Sequence, residues 1–123
     1  MSDAAKETVR RFYDAMNSRD IDAVLACYAD GAVLDVIAEG KWGGEQAPSR
    51  QVLEGFYATF PEIRFTLGTM VAEGGRVSVD LSSQGQLANG KPYANRYHNY
   101  FEVEGGKVAF FREFPTNVAR PVS

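Results

Sequence analysis

The spacing of the apolar residues changes near Pro61, about halfway along the chain. Before it, apolar residues recur every three or four positions, the spacing of a helix that buries one face. After it, apolar and polar residues alternate, the spacing of a half-buried strand. Helices in one half of a sequence and strands in the other are typical of the α+β class. With 123 residues, 45% hydrophobic and 24% charged, the chain is predicted to form a single domain over 1–123.

Three helices are predicted in the first half. The first runs from a cap at Ser2 or Asp3 to a break at 17–19, the second from a cap at Asp20 to Gly31, and the third from Pro48 to Pro61. Their apolar stripes include Phe12, Tyr13, Tyr28 and Phe56. Between the second and third helices, 32–37 is β-rich and contains Asp35, and the glycine-rich stretch 39–47, with Trp42, is predicted to be a loop.

Four strands are predicted after Pro61, joined as consecutive antiparallel hairpins. The turn signals are Gly74-Gly75, Asn89-Gly90 and Gly105-Gly106. The helices are expected on the concave side of a twisted sheet. The outer side would then carry Tyr100, Phe110 and Phe114, and an apolar patch of this kind usually pairs with another subunit.

The last hairpin, PYANRYHNYFEVEGGKVAFFREFPT at 92–116, changes character along its first arm. Phe101 and Val103 share one face with Asn95, Tyr97 and Asn99, because alternate residues of a strand point the same way. That face therefore turns from apolar to hydrogen-bonding along its length. Such a strand is typical of a pocket wall.

Two segments resemble the SnoaL-like, nuclear-transport-factor-2-like superfamily, which includes ketosteroid isomerase and limonene epoxide hydrolase. They are FYDAMNSRDIDAVLACYADGAV at 12–33 and NRYHNYFEVEGGKVAFFREF at 95–114, and the likeness extends over nearly the whole chain. The resemblance implies a cone-shaped (cystatin-like) fold, in which a curved antiparallel sheet wraps around three N-terminal helices and encloses a deep pocket. It also implies a homodimer through the outer sheet face. It is specific for fold rather than function, because the superfamily hosts many chemistries.

Two registers of the last hairpin are possible. If Glu104 and Lys107 flank a two-residue turn, Arg112 faces the same side as Asn99. If the turn has three residues and a bulge, Asn99 instead opposes Phe111. We favour the second register, which matches the Gly-Lys hairpin of the superfamily. It predicts an inner face made of Tyr97, Asn99, Phe101, Phe111 and Glu113.

The catalytic residues of ketosteroid isomerase are only partly matched. Its tyrosine position falls on Phe12, and its aspartate base falls on Val36, or on Asp35 if the strand slips by one. Its protonated acid falls on Asn99, which can still donate a hydrogen bond to an oxyanion. The tyrosine is therefore missing, and steroid isomerisation by that mechanism is disfavoured.

Two other chemistries of the superfamily also match poorly. The Arg and two Asp residues of limonene epoxide hydrolase correspond to Tyr97, Asn99 and Glu113, which disfavours epoxide hydrolysis. The polyketide cyclases depend on a pocket acid–base pair, usually His with Asp. His98 is the only histidine, and the favoured register points it outward; a different register would make it the best general base.

Glu113 is the leading candidate for a general base, because an apolar cone would raise the pKa of its carboxyl towards neutrality. The alternative is a structural carboxylate bonded to Tyr97 or Tyr13. Asp35, near the predicted pocket mouth, is a second candidate base, unless it is merely solvated, and Trp42 is predicted to cover the mouth. The residues expected to contact a ligand are Tyr97, Phe12, Tyr13, Tyr28, Trp42, Phe56, Phe101 and Phe111.

The predicted function is binding of a small apolar or aromatic molecule, with catalysis, if present, by cofactor-free proton transfer of the isomerase, cyclase or dehydratase type. Glu113 or Asp35 would be the base, and Asn99 and Tyr97 the hydrogen-bond donors. The alternative is a binding or interaction module without chemistry. No phosphate loop or metal-ligand cluster is present in the sequence, so neither a cofactor nor a metal is expected.

The overall charge, the hydropathy and the cysteine content limit the classes of partner and the cellular location that are expected. The net charge of −3 argues against nucleic acid or an anionic membrane as a partner. No apolar run approaches the roughly 20 residues of a membrane span. The single cysteine, Cys27, and the charged N-terminus predict a cytoplasmic protein.

Overall fold

The structure, a computed structural model, describes residues 2–40 and 43–116. Helices and strands segregate along the chain as predicted, so the α+β class is confirmed. The elements in chain order are α1 (Ser2–Ser18), α2 (Ile21–Ala26), β1 (Tyr28–Val36), β2 (Gly44–Gln46), α3 (Arg50–Thr59), β3 (Glu62–Glu73), β4 (Arg76–Gln86), β5 (Pro92–Glu104) and β6 (Lys107–Glu113). Among these described residues, no helix is both long enough and apolar enough to cross a lipid bilayer.

The six strands of the described chain form one curved sheet in the order β2-β1-β6-β5-β4-β3. The strands from β3 to β6 are the predicted antiparallel meander. β1 lies parallel to β6, so the sheet is mixed rather than antiparallel throughout. Parallel pairing requires a long connection, and residues 37–106 provide it.

The segment after α2 corrects two predicted boundaries. The helix ends at Ala26 rather than Gly31, and Tyr28 begins β1 instead of continuing the helical stripe. The carbonyl of Cys27 accepts a hydrogen bond from the backbone N–H of Val108 at 2.8 Å, so pairing with β6 extends the chain at this point. The predicted loop 39–47 also contains β2, which pairs with the end of β1.

The centre of the core is a cluster of aromatic rings between α1 and the last hairpin. Phe101 is fully buried, and its ring stacks on Phe111 with centroids 4.4 Å apart and planes 6° apart. Phe12 on α1 meets both rings edge-on, at 5.6 and 5.5 Å. These contacts fix α1 against β5 and β6, the two strands that carry most of the predicted site residues.

The turn of the last hairpin differs from the favoured prediction. Gly105 and Gly106 have φ values of 56° and 76°, and Glu104 pairs with Lys107, so the turn has two residues. Successive left-handed residues form the tight turns that match the twist of paired strands. The predicted three-residue turn is therefore wrong, and so is the predicted pairing of Asn99 with Phe111, because Phe111 pairs with Phe101.

An extra residue is nevertheless present, inside β6 rather than in the turn. Val103 pairs with Val108, but Glu102 pairs with Phe110, so a bulge at Ala109 shifts the ladder by one residue. The shift returns Phe111, opposite Phe101, to the inner face, and Arg112 falls on the outer face. The bulge therefore determines which alternate residues of β6 face the inner side of the sheet.

Candidate functional site

A cavity of about 90 Å³ lies between the helices and the end of the sheet formed by β1 and β6. Most of its wall is apolar, and the apolar residues come from α1, β1, α3, β3 and β6: Phe12, Met16, Leu34, Val36, Val52, Leu53, Phe56, Phe65 and Phe111. The polar lining residues are Tyr13, Tyr28, Gln46 and Glu113. An apolar cavity with a few converging polar groups is the usual form of a small-molecule site.

Glu113 is the one ionisable carboxyl among the described residues that line the cavity. It is half-buried at the end of β6, and its backbone carbonyl accepts a hydrogen bond from the N–H of Ile37 at 2.9 Å. That bond holds the end of β6 against the chain leaving β1. Glu113 is therefore placed by backbone pairing on an apolar wall.

Two phenol groups share the cavity with Glu113. Burial raises the pKa of Tyr13 well above its usual value; a hydrogen bond from Asn99 opposes this rise, and the charge of Glu113 adds to it. Burial also raises the pKa of Tyr28, with further contributions from Cys27 and Glu113. Both hydroxyls therefore keep their hydrogens at neutral pH and can act as hydrogen-bond donors.

Asn99 lies behind Tyr13 instead of lining the cavity. Its side-chain Nδ2 donates to the Tyr13 hydroxyl at 2.9 Å, and its Oδ1 accepts from the backbone N–H of Phe114 at 3.0 Å. The strand pairs on either side, Phe101 with Phe111 and Tyr97 with Pro115, place Asn99 opposite Glu113. The structure thus brings Asn99 next to the site but gives its amide partners within the protein.

The remaining polar residues on the inner face of β5 also bond within the protein. The Tyr97 and Ser83 hydroxyls are 2.7 Å apart, and Asn95 donates to the Tyr93 hydroxyl at 2.8 Å. All four are buried, and none lines the cavity. The predicted hydrogen-bonding wall therefore exists, but buried hydrogen bonds occupy this part of it.

Asp35 lies on the opposite face of β1 from the cavity, which its neighbours Leu34 and Val36 line. Its carboxylate accepts a hydrogen bond from Arg112, with 2.7 Å between Nε and Oδ2. The Arg112 guanidinium also lies over the ring of Phe110, 4.7 Å from its centroid. The structure thus does not bring Asp35 to the cavity; the residue joins β1 to β6 from the outer face.

His98 is exposed and pairs with Asp80 across the outer side of β4 and β5. It lies one residue away from Asn99, on the other face of the strand. The structure therefore places it away from the cavity, on the predicted face, although the three-residue turn from which that face was predicted is wrong.

Five of the predicted ligand-contacting residues line the cavity, namely Phe12, Tyr13, Tyr28, Phe56 and Phe111. Phe101 and Tyr97 do not line the cavity: Phe101 stacks on Phe111, and the Tyr97 hydroxyl is hydrogen-bonded to Ser83. Trp42 lies outside the described residues. Tyr13, the residue after Phe12 on the same helix, also lines the cavity and brings a phenol to it, and both side chains are buried.

Sequence reasoning missed seven lining residues: Met16, Leu34, Val36, Gln46, Val52, Leu53 and Phe65. The alternation around Asp35 contained a usable signal, since a polar Asp35 on one face places Leu34 and Val36 on the other. Gln46 had none, because β2 exists only by pairing with β1. In the described ranges, no cluster of three His, Cys, Asp or Glu side chains is arranged to hold a metal ion.

Comparison with known proteins identifies the family. A family model described as a SnoaL-like domain matches residues 9–111. No curated protein sequence matches significantly.

Solved structures show the same fold. A nuclear-transport-factor-2-like protein of unknown function from Burkholderia pseudomallei is 23% identical, with a TM-score of 0.78 over 92% of this chain and 90% of that one. TerC, co-crystallised with polyporic acid, is 16% identical, with a TM-score of 0.80 over 90% of each chain. IdmH from Streptomyces antibioticus, assigned as a polyketide cyclase, is 20% identical, with a TM-score of 0.76 over 94% of each chain.

These identities support the fold alone, whereas the family model covers most of the chain. Together they confirm the resemblance drawn from the two sequence segments. The chain has the nuclear-transport-factor-2-like fold and belongs to the SnoaL-like domain family.

Proposed function

We propose that this protein binds a small apolar carbonyl compound in the cavity and moves a proton on it without a cofactor. The observation that carries the proposal is the position of Glu113 on a mostly apolar wall that also holds the neutral phenols of Tyr13 and Tyr28. A carboxylate can remove a proton from carbon, and a phenol can stabilise the charge that develops on oxygen. Membership of the SnoaL-like family and the likeness to IdmH, assigned as a cyclase, agree with this class of chemistry.

The proposed step begins with Glu113 accepting a hydrogen from the carbon next to the carbonyl. The electrons of that C–H bond form an enolate, whose negative oxygen accepts a hydrogen bond from Tyr13. Return of the proton to a different carbon isomerises the compound. Attack of the enolate carbon on a second carbonyl within the same molecule instead closes a ring, and the alkoxide formed from that second carbonyl takes the proton back from Glu113. Both outcomes share the first proton transfer, so that step is the one to test.

The size of the cavity favours small ligands or small parts of larger ones. Its volume is about 90 Å³, whereas a cavity of about 150 Å³ is known to hold benzene. Gln46 both lines the cavity and is exposed, so the cavity reaches solvent beside β2. A larger ligand would insert its reacting carbonyl and leave the remainder near Gln46.

Cyclopentanone is a suitable probe because it is a small ketone with exchangeable hydrogens next to its carbonyl, and the part of its ring that the cavity does not enclose can extend towards Gln46. In deuterated water, we expect the protein to accelerate deuterium incorporation at these positions above the rate in buffer, as measured by proton NMR. Methylenecyclopentane, which replaces the oxygen with CH₂, should compete for the cavity and suppress the acceleration. Heat-denatured protein is the control for exposed carboxylates.

A ligand-binding module without chemistry is the alternative function. It is favoured if both probes bind, as seen by ligand-observed NMR, but cyclopentanone exchanges at the buffer rate. Failure of both probes to bind would contradict the small-molecule site itself.

We also propose that two copies pair through the outer sheet face. The support is a set of aromatic residues: the ring centroids of Tyr100 and Phe110 lie 6.2 Å apart on that face, and Phe114, the residue after β6, is 41% exposed. We expect the protein to sediment as a dimer and Phe114→Glu, which replaces one of these residues with a charge, to sediment as a monomer with its fold intact. A monomeric wild type at tens of micromolar would contradict the proposal.

A further inference from the structure

We propose that Asn99 is a positioning residue that directs the hydroxyl hydrogen of Tyr13 into the cavity, so that the site selects ligands presenting a hydrogen-bond acceptor. The inference rests on the proposed function in one respect, that the cavity binds a small molecule. It does not require that the molecule react.

The orientation of the Asn99 amide follows from its partner on the backbone. The N–H of Phe114 can only donate, so the Asn99 atom 3.0 Å from it must be the oxygen, Oδ1. The side chain is 1% exposed, and its amide cannot turn over without breaking this bond in the protein interior. Nδ2 therefore faces the other way, towards Tyr13.

The direction of the Tyr13 hydroxyl follows in turn. Nδ2 carries hydrogens and no acceptor, so at 2.9 Å the Tyr13 oxygen must be the acceptor. The hydrogen of Tyr13 is thus not used in this bond and must point elsewhere. Because Tyr13 lines the cavity, the proposed direction is towards a bound ligand. Burial keeps that hydrogen in place at neutral pH by raising the pKa of Tyr13.

The peptide group between Glu113 and Phe114 connects the proposed base, Glu113, to the proposed donor, Tyr13. The peptide N–H that holds Asn99 belongs to Phe114, directly after Glu113, and Asn99 stands opposite Glu113 in the ladder. A chain of donors therefore runs from the Phe114 N–H through Asn99 to Tyr13. Hydrogen bonds in such a chain strengthen one another. The end of the chain is a donor, which suits a carbonyl oxygen and disfavours a ligand whose polar group can only donate a hydrogen bond.

The test compares two ligands of nearly equal shape in four proteins. The ligands are cyclopentanone and methylenecyclopentane, and the proteins are wild type, Tyr13→Phe, Asn99→Leu and the double variant. The measured quantity is the selectivity, defined as the Kd of the hydrocarbon divided by the Kd of the ketone. Ligand hydration is the same for every protein, so it cancels when selectivities are compared.

We expect Tyr13→Phe to lower the selectivity roughly three- to tenfold, the range of one hydrogen bond. Asn99→Leu should lower it comparably, and the double variant should lower it no further, because Asn99 acts through Tyr13. A merely structural Asn99 would weaken both ligands alike and leave the selectivity unchanged. Unchanged selectivity in Asn99→Leu, or losses that multiply in the double variant, would overturn the proposal.

A second measurement covers the case in which Asn99→Leu fails to fold. The side-chain amide of Asn99 gives its own ¹H–¹⁵N NMR signals in wild-type protein. Loss of the acceptor in Tyr13→Phe should move the signal of the Nδ2 hydrogen upfield, and an unmoved signal would contradict the assigned orientation. This result needs no ligand, so failure of both probes to bind would refute the proposed ligand site separately.

Discussion

Glu113→Gln is expected to reduce the protein-dependent deuterium exchange of cyclopentanone by roughly 10²- to 10⁴-fold, the usual contribution of a general base. Glutamine preserves the shape of the side chain and the pairing of β6, but its amide does not accept a proton from carbon. The other described lining residues supply phenols and an amide, which are poor bases near neutral pH. The measurement is the NMR exchange rate at saturating probe, with the Kd of the probe determined for the same variant.

Glu104→Gln is the matched control, because it removes the same charge from the same hairpin at an exposed position beside the turn. Its exchange rate should remain close to that of wild type. If Glu113→Gln instead exchanges the probe as fast as wild type while binding it equally well, Glu113 is not the base. The proposed reaction would then have to be abandoned, whereas the cavity could still be a binding site.

Phe101→Ala should have the largest effect on stability, a loss of about 3–5 kcal/mol in the free energy of unfolding. Its ring is fully buried, stacks on Phe111 at 4.4 Å, and meets Phe12 and Tyr13 edge-on at 5.6 and 5.8 Å. Removing the ring leaves a void that these large neighbours cannot readily fill. Urea unfolding, followed by circular dichroism and fitted for both midpoint and slope, gives the difference.

Val71→Ala provides the comparison, since Val71 on β3 is 65% exposed and its truncation should change the free energy of unfolding by only about 0.5 kcal/mol. If Phe101→Ala lowers the free energy of unfolding by less than about 1 kcal/mol, the stacking of Phe101 on Phe111 contributes little to stability, and this prediction is wrong. Because Phe111 also lines the cavity, we expect the Phe101 variant to bind cyclopentanone more weakly as well.

Local signals were sufficient for most of the fold. The change of period at Pro61 and the paired glycines located the helices and the meander, because both features act over a few residues. The end of α2 and the existence of β2 could not be found in this way. Both depend on bonds to distant residues: Cys27 is held by Val108, and β2 is ordered by β1. Long-range pairing of this kind overrides local propensity.

The candidate site was harder to predict, because alternate residues of a strand face opposite sides of the sheet and a shift of one residue exchanges the two sets. The predicted inner face of β6 contains Glu113 although the predicted turn was wrong, since one extra residue in the turn and one in the strand shift the parity equally. Ala109 carries no local mark of a bulge. Asp35 was misplaced at the mouth although its alternation with Leu34 and Val36 indicated that it faces away from them. Its partner, Arg112, could not be predicted, because the parallel pairing of β1 with β6 is a long-range contact without a local signal.

The bulge at Ala109 also has an evolutionary consequence. β6 carries a cation and an anion side by side, Arg112 and Glu113, and the ladder irregularity selects which of them enters the cavity. A lineage could therefore exchange an acid-lined pocket for a guanidinium-lined one by losing this single irregularity, with both charged residues retained. In related proteins, an insertion or deletion in the last hairpin could therefore change the charge that lines the pocket. A comparison of substitutions alone would not reveal that change.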